Sequence, residues 1–579
     1  MSTKNLATSW ARFRSTPGRI ARYVLNARAL STESPCASRT ISQSPTLGLQ
    51  NGRDLFNYTR GRFITDEQFE LSQRCVDFNV DALARCAAET VGAESCISIE
   101  KYPDGMYNKS MLLTMDNGSQ VVAKIPNPNA GIPHLTTASE VATMEFIREK
   151  LGTPVPKVLA WSSRAQSNPI GAEYIIMEKA SGVELEQIWP SLDIKERFAV
   201  VKAVAGYQKS WNSISFKKFG GLYYKKDLDS DTGNDALYVD ADGHDIVDTK
   251  YAIGPSPGRE WIDNGRVNIK LDRGPWKTLT EFHSAIGKRE ITCINQLPHL
   301  PKSPVTLYGP GIYIPTRERK LEALHCYMTL LDAIVPSNSA ISSAHLWHED
   351  LHVANIFVNP SNPAEVVSII DWQSTEISPL YFLARQPHLI DHAGTPVTGI
   401  ERPQYPADFH SMDPEAKKAA ETRYFQRSLC ALYNFWVYKA NPKLHAAFEF
   451  QRTPEFSLLL LARNIIIDGE ATYLAQVLEL EKLWDTLPGA KNKSFPLNFS
   501  TQHRARIAAE LEGAEEGMNL MSSIRDSIGE LFPEQGIVRH DQYDETLDAL
   551  AQMKTQIIEQ FAKNEQEKEE WERLWPFGQ

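Results

Sequence analysis

The sequence predicts an α+β chain of two lobes, a small β-rich one followed by a large, mainly helical one. Three observations predict it. Short apolar alternations at 96–102, 109–115 and 120–125 read as strands, and a helical pattern at about 137–150 and a strand at Glu173–Glu178 complete the first lobe. Beyond 413 the apolar spacing is helical almost to the end. Between them lies a stretch, 345–382, dense in residues that carry chemistry.

The bulk numbers fit such a chain. At 579 residues it is too long for one core. With 42% hydrophobic and 23% charged residues it reads as an ordinary globular protein. A net charge of −11 argues against a nucleic-acid binder that relies on a broad basic surface. Seven Cys without a CxxC pair give neither a disulfide framework nor a zinc signature. No stretch has the roughly 18 uninterrupted apolar residues of a membrane span. The most apolar run, Phe456–Ile467, is broken by Arg463 and Asn464 and reads as a buried helix.

In chain order, residues 1–32 hold Lys4, Arg12, Arg14, Arg19, Arg22 and Arg28, no Asp or Glu, and interleaved Trp10, Phe13, Ile20 and Leu25. A basic, acid-free, amphipathic leader has the composition of a mitochondrial presequence read by the import machinery; the alternative is a disordered basic tail. Its removal would take the net charge from −11 to about −17. Residues 33–70 read as a linker or extended arm, and 71–91 have helical spacing. The first lobe spans 71–180, with Pro103-Asp104-Gly105 and Asp116-Asn117-Gly118 as turns between its strands. The second lobe, 181–520, carries an insertion at about 220–318 that is rich in Gly, Pro and Asp and has little periodicity. Residues 521–579 read as a C-terminal helical extension.

The strongest motif is His348-Glu349-Asp350-Leu351-His352-Val353-Ala354-Asn355, which has the spacing H-x-D-L-x-x-x-N. In phosphoryl transfer an Asp orients the attacking hydroxyl and accepts its proton, and an Asn five residues on reaches a magnesium ion on the phosphates. Val366–Ile370 is then a buried strand that delivers Asp371 at its end, the position of a second metal ligand. Upstream, Val122-Ala123-Lys124-Ile125 resembles the strand whose Lys contacts the α- and β-phosphates of ATP. Glu140 in the next helix is its best ion-pair partner, with Glu145 the alternative. Tyr174–Glu178 followed by Lys179-Ala180-Ser181-Gly182 reads either as an adenine-pairing hinge, through Met177, Glu178 and Ala180, or as a plain buried strand and turn. Tyr102–Lys109 would cover the phosphates but has only Gly105. His348 reads as a brace for the loop, His352 as a loop residue or substrate contact, and Trp347 and Trp372 as core.

On these motifs the chain resembles the aminoglycoside phosphotransferase/choline-kinase-like family over roughly residues 70–520. Tyr251–Pro255, Gly274–Thr278 and Ala285–Glu290 resemble segments of a fungal mitochondrial group within it. The resemblance implies a bilobal protein-kinase-like fold, use of ATP and Mg2+, mitochondrial residence, and roles for Lys124, Glu140, Asp350, Asn355 and Asp371. It departs from the family at Glu349, where Gly is frequent, and at Trp372-Gln373, where protein kinases have Phe-Gly. No A-P-E segment follows, which suits a small-molecule phosphate acceptor better than a protein one. Two readings stay open: an active phosphotransferase with Asp350 as base, and a non-catalytic nucleotide-binding protein of mitochondrial maintenance.

The leader makes a direct prediction. A fluorescent fusion of residues 1–50 enters mitochondria, and changing Arg12, Arg14, Arg19 and Arg22 to Glu leaves it in the cytosol, because the inward pull is electrostatic. Unchanged import of the changed fusion would remove the presequence reading.

Overall fold

The computed structural model describes residues 53–578 apart from 230–232, 234, 393–396, 398, 491 and 492; the leader at 1–32 and the start of the expected arm, 33–52, lie outside the described residues. The first lobe is a five-stranded antiparallel sheet. Its strands are β1 (Cys96–Lys101), β2 (Asn108–Met115), β3 (Gln120–Pro126), β4 (Val158–Ser162) and β5 (Tyr174–Glu178), in the order β1-β2-β3-β5-β4.

Side chains alternate across a strand, and β3 shows what that does here. Val121, Ala123 and Ile125 point to the outer face. There they join Met111 and Leu113 of β2, Ile176 of β5, and Leu83 and Ala87 of α1 (Val80–Thr90) in a small closed core. Each large side chain so buried contributes about 1.5–3 kcal/mol. Lys124 is left on the opposite face, against α2 (Leu135–Leu151). That helix is buried on nearly all sides, as a helix between a sheet and a second lobe must be, and it ends at Gly152 in the left-handed region (φ 66°).

The chain enters the second lobe at Gly182. Its φ of 84° and its approach to the Val358 carbonyl leave no room for a Cβ. Val183–Glu184 then pairs with β6 (Ile356–Asn359), which pairs with β7 (Asn362–Ile369). On β7 packs α3 (Ile194–Trp211), opened by an Asp193/Glu196 capping box, and farther along the lobe lies α4 (Leu279–Gln296), opened by a Thr278/Glu281 capping box. With them are α5 (Arg317–Ile334), α6 (Pro414–Ala440) and α7 (Glu470–Leu483). The whole is a two-lobed, protein-kinase-like α+β fold.

Three expectations about organisation need correction. The 220–318 insertion contains the 18-residue helix α4, whose buried face carries Arg289 and Glu290 as well as apolar residues, so its apolar period is broken. No break falls at 521, because α8 (Thr501–Ile528) runs through it. Instead α8 leads into α9 (Tyr543–Phe561) and α10 (Glu565–Leu574). The arm residues from 53 on are folded. Arg62 and Phe63 pair with Val538 and Ile537, Arg62 lies 3.5 Å over the Tyr543 ring, and Ile64 joins Leu520, Leu550 and Trp571 in a third core.

The interior of the second lobe holds a charged network. Glu290 Oε1 accepts from Arg266 (2.8 Å) and Arg289 (3.0 Å), and its Oε2 accepts from the Ile466 N–H (3.0 Å). All three side chains are buried. Removing one partner of such a network leaves uncompensated charge inside. Glu290→Ala is therefore expected to cost about 3–5 kcal/mol, read as a lower denaturant midpoint and Tm. Glu570→Ala, which breaks an exposed pair with Arg573, should cost less than about 1 kcal/mol. Equal losses in the two variants would contradict this account.

Candidate active site

Lys124 sits at the meeting of the lobes. Its Nζ lies 2.6 Å from Glu140 Oε1 of α2 and 2.9 Å from Asp371 Oδ1 of the second lobe. Burial alone would lower the Lys124 pKa, but the carboxylates of Asp371 and Glu140 more than offset it and hold it above its ordinary value. Burial raises the Glu140 pKa despite Lys124. For Asp371 the Lys124 charge outweighs burial and holds the carboxyl below its usual range. Glu145, the alternative partner, lies elsewhere, bonded to Tyr224 and Tyr251 at 2.8 Å each and to Lys250.

Asp371 lies two residues past the end of β7 and has a φ of 63°, a left-handed conformation unusual for a residue with a Cβ. Such strain persists where surrounding structure fixes it, and here that structure is visible. His348 is buried. Its Nε2–H donates to the Ile370 carbonyl (2.8 Å), and its Nδ1 accepts from the Asp350 N–H (3.2 Å). One imidazole thus ties the 348–355 loop to the strand end that carries Asp371. Burial lowers the His348 pKa, in keeping with a neutral ring that donates on one side and accepts on the other. Beneath the loop Trp211 meets Trp347 and Trp372 edge to face, at 5.4 and 5.5 Å.

Asn355 donates its amide N–H to the Asp350 carbonyl (2.9 Å), which leaves its Oδ1 as the atom able to face a cation. Asp350 Oδ2 lies 3.5 Å from His352 Nε2, and its Oδ1 is buried without a hydrogen-bond partner. Burial lowers the His352 pKa, but Asp350 raises it further, and the net shift is upward. Glu349 points to Arg385 (3.4 Å), so its charge is paired.

The structure brings Lys124, Glu140 and Asp371 into direct contact, and it joins Asp350 and Asn355 in one loop tied to Asp371 through His348 and Ile370. It treats the three hinge residues differently. Met177 is buried in the large core, and the Glu178 N–H is taken by the Lys157 carbonyl (2.9 Å). Ala180, past the strand, has no backbone hydrogen bond to the protein among the described residues.

Sequence reasoning missed how the 102–109 loop is held. Asp104, read as a turn residue, is buried; its Oδ2 accepts from the Thr59 N–H and hydroxyl (2.8 Å each) and from Lys101 (2.7 Å). Arg259, from the insertion, lies 3.8 Å over the Tyr107 ring and donates to the Asn129 and Ala130 carbonyls. Asn108 bonds Gln373 across the cleft (3.1 Å). Only the Lys101/Asp104/Lys109 charge spacing could have hinted at the buried cluster.

A strand Lys paired with a helix Glu, set against a strand-end Asp and an Asp…Asn loop, defines a kinase-like protein. No known family profile matches the chain. Among curated proteins it is 27% identical over 520 residues to a subtelomeric hrmA-associated cluster protein of Aspergillus fumigatus, covering 83% of this chain and 97% of that one. It is 22% identical over 514 residues to altered inheritance of mitochondria protein 9, mitochondrial, of Yarrowia lipolytica (85% of each). It is 25% identical over 434 residues to the protein of that name in Scheffersomyces stipitis (69% and 67%). The chain is thus similar to the altered-inheritance group along most of its length. Of solved structures, a putative fructosamine-3-kinase of Thermobifida fusca overlaps at 13% identity and a TM-score of 0.32, covering 69% of this chain and 100% of that one. An aminoglycoside phosphotransferase, APH(2")-IIa, in complex with gentamicin overlaps at 12% identity and a TM-score of 0.30 (68% and 100%).

The triad has a pH signature. Lys124, raised above its ordinary pKa, contributes stability that is complete below about pH 10 and is lost as pH rises further; Asp371, held low, contributes above about pH 4 and loses it as pH falls. Lys124→Met leaves Glu140 and Asp371 facing each other, and the destabilisation is expected to be about 3 kcal/mol near pH 8. Both carboxyl pKa values then rise, the folded state takes up protons on acidification, and the deficit in Tm against the wild type shrinks toward pH 5. A deficit of the same size at both pH values would count against the shared-cation account.

Proposed function

We propose that the chain is an ATP- and magnesium-dependent phosphotransferase that moves the γ-phosphate of ATP to a hydroxyl of a small molecule in mitochondria. The observation that carries this is the Lys124 ammonium shared between Glu140 and Asp371. It fixes a cation where phosphates would lie and a carboxylate where a metal would be held. The donor set fits the cofactor. Asn355 Oδ1 and the Asp371 carboxylate are hard oxygen ligands suited to Mg2+, which when bound would neutralise phosphate charge. Lys124 would hold the nucleotide's phosphates, with Glu140 keeping it in place. The backbone near Ala180 would pair with adenine, flanked by Met177 and Glu178.

Asp350 would orient the acceptor hydroxyl and take its proton. Its buried, unpartnered Oδ1 is a ready acceptor. The pairing of Glu349 with Arg385 supports this assignment, since it turns the neighbouring acid away from the role. The chain is mitochondrial, in keeping with its leader composition and with the names of its altered-inheritance relatives. A second reading, nucleotide binding without transfer, is favoured by the loop over the phosphate position. It has one glycine, Gly105, and is pinned through Asp104.

The test separates the two. ATP with magnesium should raise the Tm of the wild type, since the ligand binds the folded state. Asp350→Asn should keep that gain and lose on the order of 10²-fold in turnover, the usual scale for a general base. Glu349→Gln should cost far less. Turnover in Asp350→Asn equal to wild type would place the chemistry elsewhere. A clear ATP shift with no wild-type turnover on any candidate acceptor would favour the non-catalytic reading.

A further inference from the structure

Helix α6 is apolar on two faces. Its inward face, with Leu429, Cys430, Tyr433 and Val437, is buried in the main core. Its outward face carries Phe425, Leu432, Phe435 and Trp436 at helical spacing, with Tyr438 at the edge. Phe425 is 42% exposed, Phe435 41% and Tyr438 46%. The preceding segment extends this surface: Tyr405 stacks on Tyr424 of α6 at 4.2 Å, and Ile400 is exposed. A helix that is apolar all round belongs in an interior or against a partner, and α6 lies at the surface over this half of its length.

Charge indicates the partner. The chain as a whole carries −11. Yet α3 and α6, packed side by side, hold nine Lys or Arg against three Glu and no Asp. Three of the basic groups lie at the aromatic face. Lys202 of α3 sits 4.7 Å over the Trp436 ring, and Lys418 and Lys439 are exposed along the same outward face of α6. Ring bodies that can enter an apolar layer, bordered by long Lys stems whose ammonium groups reach outward, suit the headgroup boundary of a bilayer. A second copy of the chain fits poorly, because a two-fold contact through this face would set basic surface against basic surface.

We propose that the α3/α6 face is a docking surface for an anionic lipid bilayer, the aromatic side chains entering the headgroup boundary and the lysines pairing with lipid phosphates. It is separate from the Lys124 cleft and does not depend on transfer activity. Docking of this kind is weakened by salt and by loss of either contribution.

The experiment is flotation of the full-length chain with two kinds of vesicle, phosphatidylcholine alone and phosphatidylcholine with phosphatidylglycerol. The wild type is expected to float with the anionic vesicles, to stay behind with the neutral ones, and to be released as salt is raised. Lys418→Glu with Lys439→Glu, and separately Phe435→Gln with Tyr438→Gln, should each lower the bound fraction on the order of tenfold. The changed side chains are exposed, so the Tm of both variants should match the wild type. Three results would overturn the proposal. One is equal flotation of wild type and both variants, which would put binding in the basic leader. Another is equal binding to neutral and anionic vesicles. The third is no flotation, together with a concentration-dependent dimer that the aromatic variant abolishes; the face would then be covered by a second copy.

Discussion

One ammonium group is shared by two carboxylates from different lobes, and the geometry of the cleft follows from it. Lys124 stands on β3, Glu140 on α2 and Asp371 at the end of β7. Glu140 and Lys124 are buried, so each charge needs its partner close by. That need fixes the distance of α2 from the sheet and the approach of the second lobe to the first. Below, the His348 imidazole and the Trp211, Trp347 and Trp372 cluster hold Asp371 and Asp350 in one rigid unit. The charged groups of the cleft are thus held in position by the protein's own contacts.

The 102–109 loop gains rigidity by other means. A glycine-rich loop lets backbone approach phosphate but is conformationally free. Here Asp104 is held by Thr59 of the arm and by Lys101, while Arg259 of the insertion covers Tyr107. The arm is itself held by the C-terminal extension, through the pairing of Arg62 and Phe63 with Val538 and Ile537. Segments remote in sequence thus converge on one loop. Order there is supplied by tertiary contacts rather than by local composition.

The insertion follows the same logic. α4 buries Arg289 and Glu290 among apolar residues, where they bond each other, Arg266, the Arg463 carbonyl and the Ile466 N–H. Buried ion pairs of this kind add little net stability against apolar replacements, but removing one member is costly. The segments Gly274–Thr278 and Ala285–Glu290 therefore matter structurally: the first ends in the helix cap Thr278, the second carries the buried pair.

The amino-acid sequence by itself determined the strands, the main helices and the chemistry of the motif region. Each rests on local rules: period 2 for β2 and β3, period 3.6 for α1, and the fixed spacing from Asp350 to Asn355. The choice of Glu140 over Glu145 was legible only as a preference, and the structure decided it by aiming Glu145 at Tyr224, Tyr251 and Lys250. The burial of Asp104, the turn of Glu349 toward Arg385, the charged interior of α4 and the docking of the arm on the extension were decided by tertiary structure alone. The reason is physical. A charged residue looks the same in sequence whether water or a distant partner solvates it, and only the folded chain brings that partner within reach.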